Sequence, residues 1–586
     1  MKKHLTTAPG SSVCFLPATA AEVGQRGWSH LDVILISGDA YIDSPFMGIA
    51  VIGRVLLAAG FRVGIIAQPE LESEDICRLG EPLLFWGVSG GSVDSMVANY
   101  TASGKRRQQD DYTPGGVNDR RPDRAVIVYA NLIRAKYKGT RSIVLGGIEA
   151  SLRRIAHYDW WGNTVRRSLL LDAKADYLLY GMAERSVVEL AECLRDDKET
   201  RHIRGLCYAA QHKPEAYLEL PSYEEVAGTT HAHKQAFIQM FQTFYAQNDP
   251  LTAQGLAQRY GMRWLIQNPP QPTLTQAELD HIHDLDYQLE VHPFDRQRGQ
   301  VRALDTISFS IASHRGCYGE CNFCAIAVHQ GRTVTWRSRQ SIVREARMLS
   351  QRSTFKGRIQ DVGGPTANMY GIECGKKLAK GCCPERRCLY PSVCPNLNVD
   401  HGKQIALLEE LRRLPGMKQV VVSSGIRYDM ILADTRHGLN YLRQVVRHHV
   451  SGQMKAAPEH CQPQVLACMG KPGTESLLAF RKLFTTMTQE EGLPQFLTYY
   501  MIAAHPGCTQ KDMEELRSFC LRELKMLPKQ VQIFTPTPST WSTAMYWTGE
   551  NPLSGKHCYV EKDARARERQ KETLTGAQPN KGQRKG

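Results

Sequence analysis

No run in this chain approaches the roughly 18 consecutive apolar residues of a membrane span, so a membrane-embedded body is not expected. An export signal is not expected either. Lys2 and Lys3 lead into Thr6-Thr-Ala-Pro-Gly-Ser-Ser12, which interrupts any apolar core of a leader, and the reading that follows is a protein of the reducing cytoplasm. Seventeen cysteines in that compartment point to metal more often than to disulfides. A strongly one-signed charge is lacking: 73 lysines and arginines against 59 acidic residues leave +14, spread along most of the length. That balance suits an anionic partner such as RNA without marking a binding face. With 586 residues, 42% of them apolar, the chain exceeds one hydrophobic core and should hold two to four domains.

What is present is a ligand triple. Cys317, Cys321 and Cys324 stand in Gly316-Cys-Tyr-Gly-Glu-Cys-Asn-Phe-Cys, directly after the apolar stretch Ile307 to Ile311. Spacings of three and two residues let one loop place three thiolates on one metal centre, and no paired C-x-x-C arm follows to close a structural zinc site. A [4Fe-4S] cluster with one iron lacking a protein ligand fits best. His314 and His329 flank the loop and keep zinc as the alternative.

Around the triple, strands and helices alternate. Candidate strands are Thr306 to Ile311, Gly357 to Val362, Lys418 to Ser423, Gln453 to Ala457, Phe496 to Ala503 and Gln530 to Phe534, separated by periodic charged segments of helical length. Six β/α units suit a partial barrel, whose ligands gather at strand C-termini, and the cysteine loop follows the first strand. Gly363 and Gly364 follow the second, where backbone can approach a ligand without a Cβ in the way. Ser423-Ser-Gly-Ile-Arg427 ends the third strand and Ala457-Pro-Glu-His460 the fourth.

The N-terminal half reads as a doubly wound α/β unit, with strands at Asp32 to Ser37, Arg62 to Ala67, Pro82 to Val88, Ser142 to Leu145 and Tyr177 to Tyr180. The expected division is a Rossmann-like domain over residues 1–200, a helical linker or cap over 201–295, a barrel over 296–550 with a cysteine-rich insertion at 371–397, and a disordered basic tail over 551–586. Cys374, Cys382, Cys383, Cys388 and Cys394 make the insertion a candidate for a second metal or cluster, with a metal-free insertion as the alternative. The polar stretch Tyr100 to Arg124 is expected to be a long loop that covers the barrel mouth or meets an anionic substrate.

Cys-x-x-x-Cys-x-aromatic-Cys, with Phe323 at the aromatic position, resembles the signature of radical S-adenosylmethionine (SAM) enzymes. With the N-terminal unit, the Gly-Gly-Pro-Thr-Ala-Asn turn, Ala457-Pro-Glu-His460 and Phe534-Thr-Pro-Thr-Pro538, the chain to about Gly549 resembles the YgiQ-type family of that superfamily. The resemblance implies that Cys317, Cys321 and Cys324 hold the cluster and that SAM completes the open iron. It implies a cofactor contact at the glycine pair Gly363 and Gly364, and by position at Ser424 and Glu459. It further implies reductive cleavage of SAM to a 5'-deoxyadenosyl radical, an electron donor such as flavodoxin or ferredoxin, and an unknown substrate. Pro365 departs from the glutamate that many members carry there. The N-terminal unit resembles cobalamin-binding domains, yet Gly38-Asp-Ala-Tyr-Ile-Asp43 offers no histidine as a lower cobalt ligand, so cobalamin is a minor expectation. Two other classes share the cluster: an RNA-modifying enzyme, which adds base recognition, and a non-catalytic iron-sulfur electron carrier.

Overall fold

The computed structural model describes residues 14–576; the leader-free reading of residues 1–12 and the far end of the basic tail, 577–586, lie outside the described residues. The N-terminal unit is built on β1 (Val33–Ser37), β2 (Val63–Ala67), β3 (Phe85–Ser89), β4 (Ser142–Gly146) and β5 (Tyr177–Leu179). These five pair in parallel in the order β2-β1-β3-β4-β5, a doubly wound arrangement whose switch point lies between β1 and β3. All five residues of β1 are buried because helices cover both faces. Val33 and Leu35 pack with α1 (Gly48–Ala58) and α3 (Glu184–Arg195), while Ile34 and Ile36 face Tyr129 and Ile133 of α2 (Ala125–Lys136).

The expected helical linker over 201–295 is corrected. β6 (Leu206–Ala210), β7 (Leu218–Leu220), β8 (Leu256–Tyr260) and β9 (Arg263–Gln267) extend the same sheet to nine strands, with β6 antiparallel to β5 and α4 (His231–Ala246) packed beside them. Their burial patterns mix buried and exposed positions, which blurs the apolar signal of each short strand. The stretch 100–124, expected to be a long loop, runs mostly as turns and isolated bridges. It folds over the C-terminal edge of the N-terminal sheet: Ala40 N donates to the Tyr112 carbonyl at 3.0 Å, Gln68 Nε2 to Thr113 Oγ1 at 2.7 Å, and Arg121 Nε to the Gly38 carbonyl at 3.0 Å.

The second unit contains β10 (Ser310–Ala312), β11 (Asp361–Gly363), β12 (Gln419–Val420), β13 (Gln453–Glu459), β14 (Phe496–Ala503) and β15 (Gln530–Ile533). All neighbours pair in parallel and in chain order: β10 with β11, Arg358–Ile359 with β12, β13 with β14, and β14 with β15. A parallel bridge between Ile426 and Ala456 joins the β12 end to β13, so the parallel pairing continues in chain order. The first strand starts later than expected, since Ala303–Ile307 is a short helix. Among the outer helices, α5 (Arg339–Ser350), α6 (Gly402–Arg412) and α7 (Gly438–His448) each bury one stripe, as with Tyr441, Leu442, Val445 and Val446 of α7. Next come α8 (Pro463–Met469), α9 (Glu475–Glu490), α10 (Gln510–Phe519) and α11 (Trp541–Thr548).

The tail expected to be disordered contains α12 (Ala564–Thr575), which packs on α10, β14 and β15. Its buried stripe is Arg567, Gln570 and Leu574. Two of these are polar because they satisfy backbone groups past the strand ends: Arg567 donates to the Phe534 carbonyl, and Gln570 Oε1 accepts from Ala504 N at 2.8 Å. No helix among the described residues is long and apolar enough to cross a membrane.

Candidate functional site

The cysteine loop leaves the C-terminal end of β10 and is fixed on both flanks. Ser313 N and Oγ donate to the Gly363 carbonyl at 2.7 and 3.0 Å, and His314–Arg315 pairs antiparallel with Thr335–Trp336. Gly316 has φ +79°, and a Cβ there would collide with the Thr333 carbonyl, so glycine alone suits the turn into Cys317. Asn322, between the second and third cysteines, is clamped by α8. Its N and Nδ2 donate to the Met469 and Cys468 carbonyls, each at 2.8 Å. Cys324 N donates to the Cys321 carbonyl at 3.0 Å, closing the last turn of the loop.

The three thiols face one another's electrostatic field. Burial raises the Cys317 pKa and pushes the Cys324 thiol up to about 12, with the neighbouring sulfurs adding to both shifts. Burial and the neighbouring sulfurs favour the protonated form of Cys317 and Cys324, and a metal would reverse that preference. Among the described residues, the group of three metal-ligating side chains whose donor atoms lie within 4.8 Å of one another is Asp400, Asp434 and His437, not the triple. Three thiols on one short loop suit a multi-iron cluster, whose corners they can cap separately, better than a four-ligand zinc site. The flanking histidines do not complete a zinc site either: His329 Nδ1 pairs with Ser151 Oγ at 3.0 Å, and His314 lies with its ring against Gly364. Burial lowers the pKa of both to about 4, so both are neutral.

The rim around the triple carries one cation that sequence reasoning gave no role. Arg427, after β12, donates from Nε to Asp429 Oδ1 at 2.8 Å, and its backbone N donates to Asn368 Oδ1 at 2.8 Å. A Cβ on Gly319 would lie 3.0 Å from Arg427 Nη1 and 3.3 Å from the Cys317 sulfur, so the missing side chain lets guanidinium and sulfur approach. Burial pulls the Arg427 pKa down, but Asp429 and then the Cys321 and Cys317 sulfurs outweigh it, and the net shift is upward. The only signal in the sequence was a lone arginine at a strand end.

The other expected contacts lie on the same rim. Gly363 faces Ser424, whose hydroxyl donates to Asp361, and Asp361 Oδ1 accepts from Ser423 N at 2.7 Å. A Cβ on Gly364 would meet the His314 ring at 2.6 to 2.8 Å. Glu459 has φ +70°, is 8% exposed, and has its pKa raised by burial, which Lys471 and Arg427 offset only in part. It also acts on Cys324. His460 is a satisfied structural group, accepting from Gln462 N at 3.1 Å and facing the Cys508 sulfur at 3.5 Å.

The cysteine-rich insertion is a small core rather than a ligand set. Cys374 and Cys388 are buried with Tyr318, Met369 and Leu389, and Lys377 sits 3.6 Å from the Cys388 sulfur and 3.3 Å from Glu320. Cys382 is turned toward Asp249, which accepts from its backbone N at 3.0 Å. Thiols dispersed among a lysine, a carboxylate and apolar side chains give a second metal or cluster no support. At the N-terminal switch point, where the minor expectation of cobalamin falls, Arg121 pairs with Asp39 at 2.6 Å and Asp110 at 2.9 Å, and a Cβ on Gly38 would collide with the Gly90 carbonyl.

Comparison with known proteins gives the following. The family description Radical SAM N-terminal matches residues 15–310, and a domain of unknown function, DUF3362, matches residues 529–580. A UPF0313 protein of Fusobacterium nucleatum is 52% identical over 569 residues, covering 97% of this chain and 100% of the relative. One from Thermotoga maritima is 47% identical over 564 residues, covering 96% and 98%. Among solved structures, the radical SAM methyltransferase TsrM of Kitasatospora setae, with cobalamin and a [4Fe-4S] cluster bound, aligns over 88% of this chain and 77% of its own at 14% identity and TM-score 0.47. The cobalamin-dependent radical SAM enzyme OxsB aligns over 88% and 55% at 10% identity and TM-score 0.49.

Proposed function

The chain belongs to the UPF0313 family of radical SAM enzymes, and from that premise we propose that Cys317, Cys321 and Cys324 hold a [4Fe-4S] cluster whose fourth iron is completed by SAM. The observation that carries this reading is the set of three cysteines on one loop at the end of β10, beside a buried guanidinium. When bound and reduced, the cluster supplies one electron that breaks a sulfur–carbon bond of SAM, releasing methionine and a 5'-deoxyadenosyl radical. The protein's part is to bind, orient and exclude water.

Gly363 and Gly364 present backbone at the end of β11 for the methionine amino group, and Ser424 and Glu459 line the same rim. Glu459 is held in the left-handed region at the end of β13, which aims a buried carboxyl toward the rim rather than along the strand. Arg427 offsets the negative charge that three thiolates and a reduced cluster bring into a buried site. A donor of the flavodoxin or ferredoxin class supplies the electron. A carrier function needs no such ring of glycines and polar groups at a barrel rim.

The test is anaerobic reconstitution with iron and sulfide, then incubation with dithionite and SAM. Four irons per chain at the triple and release of 5'-deoxyadenosine are expected. Zinc in place of iron, or a loaded cluster that leaves SAM intact, would refute it. RNA as the substrate is a second reading, favoured by one surface: the Tyr100 and Trp161 rings lie 5.2 Å apart, Arg106 sits 5.9 Å over Tyr100, and Lys105 and Arg107 are exposed beside them. Salt-dependent binding of a single-stranded oligonucleotide, weakened by Trp161→Ala, is the result that reading requires.

A further inference from the structure

The Cys468 sulfur, on α8, lies 3.9 Å from the Cys558 sulfur, 90 residues later in the chain. Both are free thiols; Cys558 is 4% exposed and Cys468 is half-buried. Neither belongs to the cluster triple nor to the 371–397 insertion. The site is shaped around the two sulfurs. Gly507 packs against them, and a Cβ there would come within 3.0 Å of Cys468 Sγ and 3.9 Å of Cys558 Sγ. Gly507 N donates to the Tyr559 carbonyl at 2.7 Å and Cys558 N to the Gly549 carbonyl at 2.9 Å, which pin the later segment alongside α8. By contrast, buried Cys508 faces His460 and Gln570 and has no sulfur partner so placed.

We infer that Cys468 and Cys558 form a reversible disulfide site, oxidised by small-molecule disulfides of the glutathione class and reduced by dithiols. Either thiol can donate to the other across this contact, and Cys468 is the more exposed of the two, so it is the sulfur that meets a small disulfide first. The Cys468 thiolate attacks one sulfur of the small disulfide, forming a mixed disulfide and releasing one thiolate. Cys558, losing its proton, then attacks the Cys468 sulfur, forms the internal S–S bond and expels the second thiolate. The pair gives up two electrons and two protons, and the small disulfide becomes two thiols. The sulfurs need close by only about 2 Å to reach bonding distance. Because the Cys468 and Met469 carbonyls hold Asn322, the bond forms at the support of the cysteine loop. Bond formation itself does not depend on what that loop binds.

The experiment treats the full chain, kept anaerobic, with glutathione disulfide, alkylates the remaining thiols and maps peptides without reduction. A Cys468–Cys558 cross-linked peptide is expected before any other internal pair, reversed by dithiothreitol. In Cys558→Ser, Cys468 should instead retain bound glutathione, because the resolving thiol is gone. Alkylation of both cysteines while other thiols of the chain oxidise, or pairing of either with a different cysteine, overturns the inference. The wild-type map decides the matter even where the variant folds poorly.

Discussion

The molecule has two runs of parallel strands, each with a C-terminal edge where ligands of such folds are expected, and the two edges are built differently. At the N-terminal switch point the buried charges answer one another: Arg121 joins Asp39 and Asp110, Arg153 joins Asp94, and the 100–124 stretch lies across the top. At the barrel rim the ligating groups are left over. Cys317, Cys321 and Cys324 share one loop beside Arg427, and His314 Nε2 has no hydrogen-bond partner. The same rule of strand ends thus applies to both, and the edges differ in kind: ion pairs fill one, and a cysteine triple stands at the other.

The largest effect should come from the edge with unspent ligands. Replacing Cys321 by Ala should reduce 5'-deoxyadenosine to the background without protein and leave iron loading below four per chain, while the denaturant midpoint shifts little. The readouts are iron content, product chromatography and unfolding in urea. A variant that keeps cleaving SAM would erase the distinction between the edges.

The complementary change belongs to the N-terminal edge. Arg121→Met strands Asp39 and Asp110 in a buried site, and breaking such a charge group costs about 3–5 kcal/mol. Urea unfolding should show that loss, yet SAM cleavage per folded molecule should be unchanged. A selective loss of cleavage would mean that this edge takes part in the chemistry after all.

Much of this contrast was legible before any coordinates. Cys317, Cys321 and Cys324 are adjacent in the chain, so their convergence is local, and the barrel strands announce themselves as apolar runs between periodic helices. Charge pairing across long separations is not visible that way: Arg121 and Asp39 are 82 residues apart. Nor does hydropathy reveal α12, whose buried stripe includes Arg567 and Gln570 because the groups they serve are backbone atoms of distant strands. The strands of the 201–295 region were missed for a different reason. Gly261, with φ +58°, between Tyr260 and Met262 was a hairpin signal, but the alternation around it carries arginine and glutamine in place of β-branched residues.

A smaller effect separates the edges by how tightly each glycine is packed. Gly364→Ala forces a methyl against the His314 ring, and Gly38→Ala forces one against the Gly90 carbonyl, which is backbone. Overpacking costs about 1–3 kcal/mol, and Gly38→Ala should lie at the upper end because a backbone carbonyl cannot swing aside as a ring can. Thermal unfolding ranks them. Gly364→Ala should additionally raise the SAM concentration needed for half-maximal cleavage, whereas Gly38→Ala should not.

The smallest effect follows from the protonation of the triple in the metal-free chain. Cys324 is pushed up to about 12 from an ordinary value of 9.0, so between those limits the unfolded chain has released its proton while the folded chain retains it. The unfolded state then binds fewer protons, and folding stability falls as pH rises from 9 toward 12 and is fully present below 9. The loss between pH 9 and 10 is on the order of 1 kcal/mol for a single proton. Iron binding removes the proton altogether, so the loaded protein should show no such slope from this residue, nor should metal-free Cys324→Ala. Denaturant midpoints of the three forms at pH 8, 9 and 10 make the comparison. Equal slopes with and without iron would place the Cys324 thiol away from the metal and return the barrel rim to the condition of the N-terminal edge, a set of groups that answer only to one another.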